Sequence, residues 1–153
     1  MDQSPRSAWS GVFPATLCPF KEDYGVDEDD LAQYLAWVAQ HDGVTGIVVN
    51  GHTGEITSLR NPERARVVEV AAASVPAGKK VVSGVCAEGS HDAIDQALAA
   101  KSAGADAILL MPPHHWLRFG RSPQTAIGFI GDVAAAADIS IIVHQYPAWT
   151  KAC

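Results

Sequence analysis

The residues best placed to do chemistry are Gly51-His52-Thr53-Gly54-Glu55, directly after the apolar run Gly46-Ile47-Val48-Val49-Asn50. The run is dominated by β-branched residues and is too short for a helix, so a buried strand is expected over 46–50. Two glycines then flank a hydroxyl residue. Such a loop turns sharply and aims several N–H groups at one point, a nest suited to a small anion such as a carboxylate.

The elements that must hold this loop follow from periodicity. Val12 to Thr16 is a candidate first strand. Asp27 is expected to cap a helix whose apolar stripe, Leu31, Tyr34, Leu35, Val38 and Ala39, has helical spacing and which Gly43 closes. Asn61, followed by Pro62, is expected to cap a second helix with Val67, Val68, Ala71 and Ala72 inward, ending before Pro76. Further strands are expected over 81–85, 107–111 and 139–143. Between them, Ser90 opens an alanine-rich helix with Ile94, Ala97 and Leu98 buried and Gly104 as its stop, and Ser122-Pro123 opens another. Five strands alternate with four helices. Strands without polar alternation imply a parallel sheet covered on both faces. No Gly-x-Gly-x-x-Gly or phosphate-loop pattern follows any strand, which argues against a nucleotide-binding doubly wound sheet. The chemically interesting residues instead follow the strands, at what would be the carboxyl-end face of a (β/α)8 barrel. Five strands do not close such a barrel. The expected fold is α/β: a partial TIM barrel with a parallel sheet, a single incomplete domain over 1–153 ending after strand five.

Composition excludes several classes. At 153 residues, with 48% apolar and 18% charged residues, the chain can bury one ordinary core. A net charge of −6 without a basic cluster argues against nucleic acid or an anionic membrane as partner. The polar start Met1-Asp2-Gln3-Ser4-Pro5-Arg6 and the lack of a bilayer-length apolar run predict a soluble cytoplasmic protein. Cys18, Cys86 and Cys153 are scattered, with no Cys-x-x-Cys pair. They fit a reducing compartment and offer no metal framework.

Four segments in order resemble the pyruvate-dependent class I aldolases and lyases grouped with dihydrodipicolinate synthase and N-acetylneuraminate lyase. They are Pro14-Ala15-Thr16-Leu17-Cys18-Pro19-Phe20, the Gly51–Glu55 loop with Leu59 and Glu63-Arg64 downstream, Met111-Pro112-Pro113-His114, and His144-Gln145-Tyr146-Pro147. The resemblance implies a TIM-barrel enzyme whose lysine forms a Schiff base with pyruvate or a related 2-keto acid, an electron sink that lets the adjacent carbon–carbon bond be made or broken. By the same resemblance Thr53 and Gly54 hold the substrate carboxylate. No cofactor is implied. The partners implied are a small keto acid and further copies of the chain.

The departures carry their own expectations. The positions of the family's proton relay correspond here to His52, His114 (or its neighbour His115) and His144, so imidazoles replace a hydroxyl and two phenols. A neutral imidazole can give and take a proton near pH 7, so a relay with a changed pH profile is expected. The bland reading of His52 and His144 is as capping or hydrogen-bonded residues at strand ends. A tri-histidine metal site from His52, His114 and His144 has neither a spacing motif nor an identifiable acidic partner behind it, so no metal is expected. Trp149, where the synthase places a substrate-binding arginine, points away from the founding dihydrodipicolinate activity. The family's lysine lies about 30 residues beyond the strand-five motif, one βα unit on. Nine residues follow His144, so the nucleophile is expected to be missing. Lys21, Lys79, Lys80, Lys101 and Lys151 are poor substitutes. Glu55 is expected to anchor its loop, Arg118 and Arg121 to face solvent or an anionic substrate, and Trp116 to fill core or interface. The alternative to a truncated aldolase is a non-catalytic half-barrel that self-associates or binds a small carboxylate.

Overall fold

The computed structural model describes residues 9–145. The expectations for Tyr146, Pro147, Trp149, Lys151 and Cys153 lie outside them. Four parallel strands form one sheet: β1 (Gly46–Val49), β2 (Lys80–Val85), β3 (Ala107–Leu110) and β4 (Ser140–Val143), in the order β1-β2-β3-β4. The register pairs Ile47 with Val81, Ser83 with Ile108 and Leu110 with Val143. Each strand therefore lies beside its successor. A doubly wound sheet would reverse direction at a switch point, and this one does not.

The expected first strand is present only as bridges. Val12 and Ala15 bridge in parallel to Val44 and Val48, and Val48 N–H donates to Pro14 O at 2.9 Å. Pro14 has no N–H to give back, so the segment reaches β1 without completing a ladder. The expectation of five regular strands is corrected to four plus this bridged segment.

Five α-helices are found among the described residues where four were expected: α1 (Glu28–Ala39), α2 (Asn61–Ser74), α3 (Ser90–Ser102), α4 (His115–Phe119) and α5 (Pro123–Ala137). The short α4 lies in the connection after β3 and ends at Gly120, whose φ of 75° suits glycine. Asp27 and Ser122 cap as expected, accepting from Asp30 N–H at 3.2 Å and Thr125 N–H at 3.1 Å. Two caps fall one residue early. Arg60 occupies the N-cap of α2, its N–H donating to Glu63 Oε2 at 2.8 Å, while Asn61 reaches across to Asp92. Gly89 occupies the N-cap of α3, and the Ser90 hydroxyl donates instead to Asp132 of α5 at 2.6 Å.

Alternate strand residues serve two layers. Ile47, Val49 and Val81 pack with Leu31, Leu35 and Ala39 of α1 and with Val67, Val68 and Ala71 of α2. Val85, Ile108 and Leu110 pack with Ala93, Ala97 and Ala100 of α3 and with Phe129, Val133 and Ala137 of α5. On the opposite face Val48, Val82 and Ala107 form a separate cluster with Trp9, Phe13, Leu109 and Ile142. One face thus carries all the long helices and the other looks inward, as in a barrel wall. Each fully buried leucine or isoleucine contributes about 1.5–3 kcal/mol. Leu98 and Ala72, expected inside, are exposed; Gln96 and Val70 take the inward positions on their helices. No helix among the described residues is long and apolar enough to cross a membrane.

Candidate active site

The loop after β1 begins at Asn50, which leaves the strand in the left-handed region, φ 54°. Asparagine is among the few non-glycine residues that adopt that conformation readily. Its Nδ2 donates to Arg64 O at 2.9 Å and Ser83 Oγ at 3.0 Å, tying the loop to α2 and β2. The Asn50 carbonyl presses on Gly84, where a Cβ would lie 1.8 Å from that oxygen. Within the loop, Glu55 N–H donates to His52 O and Ile56 N–H to Gly51 O. A single 3₁₀ turn, Ile56–Ser58, follows. Glu55 holds the loop through its backbone, also at φ 54°, while the amide of Asn50 is the side-chain anchor.

Thr53 and Gly54 occupy the middle of this turn. Gly54 is buried against Thr16, whose carbonyl a Cβ would approach to 3.0 Å; Thr16 in turn bonds Val48 O through its N–H and hydroxyl. Thr53 is exposed. Among the described residues no hydrogen bond uses its N–H, its hydroxyl or the Gly54 N–H, so these donors are available to an anion.

His52, His114 and His144 follow β1, β3 and β4, and the fold brings all three together. The His52 ring centroid lies 6.0 Å from that of His114 and 5.8 Å from that of His144. His144 N–H donates to Leu110 O, and its buried Nδ1 has no hydrogen-bond partner among the described residues. Partial burial, and then the neighbouring His144 and His114, lower the pKa of His52 below its ordinary 6.5. His52 is therefore neutral at pH 7 and able to accept a proton.

Two residues of this site have no counterpart in the sequence expectations. Cys86, directly after β2, is held by Gln96, which accepts its N–H at 3.1 Å and donates to its carbonyl at 3.0 Å. Its Sγ lies 3.9 Å from His114 Nδ1, and burial pushes the thiol pKa up. Glu88, two residues on, is the acidic partner that spacing did not disclose. It accepts from the N–H of His114 and of His115, from His114 Nδ1 at 3.0 Å and from His115 Nδ1 at 2.7 Å. Burial pushes the Glu88 carboxyl up, but these four bonds outweigh it, the His115 ring first, and bring it down to about 2. Adjacent side chains in an irregular turn ordinarily point apart, but His114 and His115 do not. They converge on Glu88 because the first turn of α4 presents successive amides and rings to one carboxylate. Only a sulfur and a carboxyl four and two residues before the helix-opening Ser90 could have signalled this pair, and Cys-Ala-Glu-Gly is no recognised motif.

The remaining candidates sort simply. Trp116 is buried edge-on against Phe129, with ring centroids 5.7 Å apart, so it fills core. Arg121 lies over the Trp116 ring and Arg118 over that of Phe119. Lys79 donates to Val44 O, Lys80 pairs with Asp106 at the entry to β2, and Lys101 pairs with Asp138. Lys21 is exposed. A cavity of about 300 Å³ between α2 and α3 shares none of the imidazoles.

A parallel sheet wound strand by neighbouring strand, with reactive side chains gathered at the strands' carboxyl ends, defines the (β/α)-barrel class. The sequence profile of the dihydrodipicolinate synthetase family matches residues 8–153, and the chain belongs to that family. It is similar to an uncharacterized DapA-like lyase of Rhizobium meliloti, 39% identical over 110 residues, covering 71% of this chain and 36% of the relative. It is also similar to 4-hydroxy-tetrahydrodipicolinate synthase of Methanothrix thermoacetophila, 35% identical over 140 residues, 90% of this chain and 44% of that protein. Among solved structures, dihydrodipicolinate synthase from Aquifex aeolicus superposes with a TM-score of 0.81 at 30% identity, covering 94% of this chain and 47% of that one. YagE, a prophage protein of the same family from E. coli K12 in complex with pyruvate, gives 0.83 at 25%, also covering 94% and 47%. The chain thus spans less than half the length of these relatives and matches the N-terminal part of their TIM barrel.

Proposed function

We propose that the chain is the carboxylate-binding part of a Schiff-base-forming class I aldolase or lyase acting on pyruvate or a related 2-keto acid. The observation that carries this reading is the convergence of the Thr53 loop and three imidazoles at one end of the sheet, in a member of this family. The Thr53 hydroxyl and N–H, with the Gly54 N–H, receive the carboxylate, since a charged acceptor gains most from several preorganised donors. His52, His114 and His144 pass the protons that Schiff-base formation and carbon–carbon cleavage require, His52 as acceptor and His114 with Nδ1 fixed on Glu88. The family's lysine belongs one βα unit beyond β4. Among the described residues Lys79, Lys80 and Lys101 are paired elsewhere, and Lys21 is exposed.

Borohydride reduction in the presence of pyruvate is expected to leave this 153-residue chain unmodified. A longer version carrying the sixth strand is expected to gain the mass of one reduced pyruvate. A stable adduct on the shorter chain would contradict the placement of the nucleophile.

A second reading, association with further copies, has its own observation. The two flanks of the sheet carry exposed apolar side chains, Val12 at 56% and Val143 at 50% exposure. Exposed apolar sheet flanks of this kind favour pairing with another chain.

A further inference from the structure

Cys86 and Glu88 supply what a metal site at these strand ends needs. His52, Cys86 and His114 follow β1, β2 and β3, and one ligand atom from each lies within 4.8 Å of the others. Cys86 Sγ lies 3.9 and 4.0 Å from the two ring nitrogens of His114. A tetrahedral zinc, with Zn–N near 2.0–2.1 Å and Zn–S near 2.3 Å, sets its ligand atoms about 3.3–3.6 Å apart. The cluster is therefore wider than an occupied site by at most about 1.5 Å, a difference that side-chain rotation of the exposed His52 and of Cys86 has to close.

We propose that His52, Cys86 and His114 form a three-ligand site for a borderline-soft divalent cation, zinc foremost, with a fourth coordination position left for water or a ligand oxygen. Three features support it. The donor set is one sulfur and two imidazoles, which selects zinc-like ions over magnesium or calcium. Glu88 holds the Nδ1–H of His114 at 3.0 Å, which fixes the tautomer and leaves Nε2 as a lone-pair donor, the carboxylate–histidine–metal arrangement. The His114 and His115 amides lock that carboxylate in turn. Finally, the buried Nδ1 of His144, on a ring 5.8 Å from His52, has no hydrogen-bond partner among the described residues and can receive one from a metal-bound water.

On binding, the Cys86 thiol gives its proton to solvent and both imidazoles enter as neutral ligands, so one proton is released per cation. A cation on these nitrogens withdraws His52 and His114 from proton exchange. Relay and metal are therefore alternative states of one site. The inference does not rest on the keto-acid reading, and its test uses no substrate.

Cobalt(II) titration of the tag-free chain tests it. One equivalent is expected to give the sulfur-to-cobalt charge-transfer absorption in the near ultraviolet and the intense visible bands of a four-coordinate ion, both bleached by one equivalent of zinc. Cys86→Ser is expected to lose the sulfur band while Cys18→Ser keeps it. His52→Ala is expected to weaken binding at least about 10-fold with an unchanged far-ultraviolet spectrum, since the residue is exposed. Glu88→Gln is expected to weaken it about 10–100-fold. Stoichiometric cobalt without a sulfur band, or an affinity unmoved by His52→Ala in folded protein, would overturn the site. So would weak binding common to every variant, which marks casual contact with exposed imidazoles.

Discussion

At the mouth of the sheet one carboxylate governs two imidazoles. Glu88 takes two backbone N–H groups and two ring N–H groups, and its pKa falls to about 2 from an ordinary 4.5. Between those values the unfolded chain binds a proton that the folded chain does not, so stability rises with pH across the window. The contribution is full above about pH 4.5 and lost as pH falls through 2. Glu88→Gln is therefore expected to cost stability at pH 7 and progressively less towards pH 2, as read from urea unfolding at the two ends. The side chain is half exposed, so solvent moderates the size of the effect but not its sign. An equal cost at both ends would refute the assigned bonds. Much of this site was legible from residue types alone. His52, Thr53 and Gly54 follow a strand in a glycine-bracketed loop, although its left-handed turns fall on Asn50 and Glu55, and His114 and His144 follow the next apolar runs but one and but two. Cys86 and Glu88 were not legible, because their partners lie 28 and 26 residues away and become neighbours only through the parallel register of β2 and β3.

At the scale of elements, the position of the Thr53 loop depends on β2 more than on β1. Asn50 turns out of β1 with its carbonyl resting on the bare backbone of Gly84 and its amide bonded to Ser83 and Arg64. Gly84→Ala places a methyl 1.8 Å from the Asn50 oxygen. The strand cannot yield without breaking its pairs to β1 and β3, so the loop must move. The substitution is expected to destabilise by about 3 kcal/mol or more, as overpacking against rigid backbone does. Chemical denaturation measures it, and a cost under about 1 kcal/mol would contradict the packing. Strands β1 to β4 and the helices that cover them were readable because apolar runs and helical stripes each have one simple partner. The first segment was misread as a full strand, since periodicity is blind to the missing N–H of Pro14. The short α4 went unseen because five residues are too few to show a period.

For the whole molecule, sequential strand order and one-sided helices make the sheet a barrel wall, and the flanks of that wall carry exposed Val12 and Val143. Sedimentation is expected to show species at multiples of 16.1 kDa whose weight grows with concentration. A monomer at every concentration would rule out pairing through these flanks. The account rests most heavily on the Thr53 loop as the seat of a keto acid's carboxylate. The most direct test is a pyruvate titration followed through the backbone amide resonances of the isotopically labelled chain. The Thr53 and Gly54 amides are expected to shift most and to saturate together, and Thr53→Val is expected to weaken binding at least about 10-fold, the loss of a hydrogen bond to a charged group. Shifts confined to the Arg118–Arg121 surface, or none at these two amides, would contradict it.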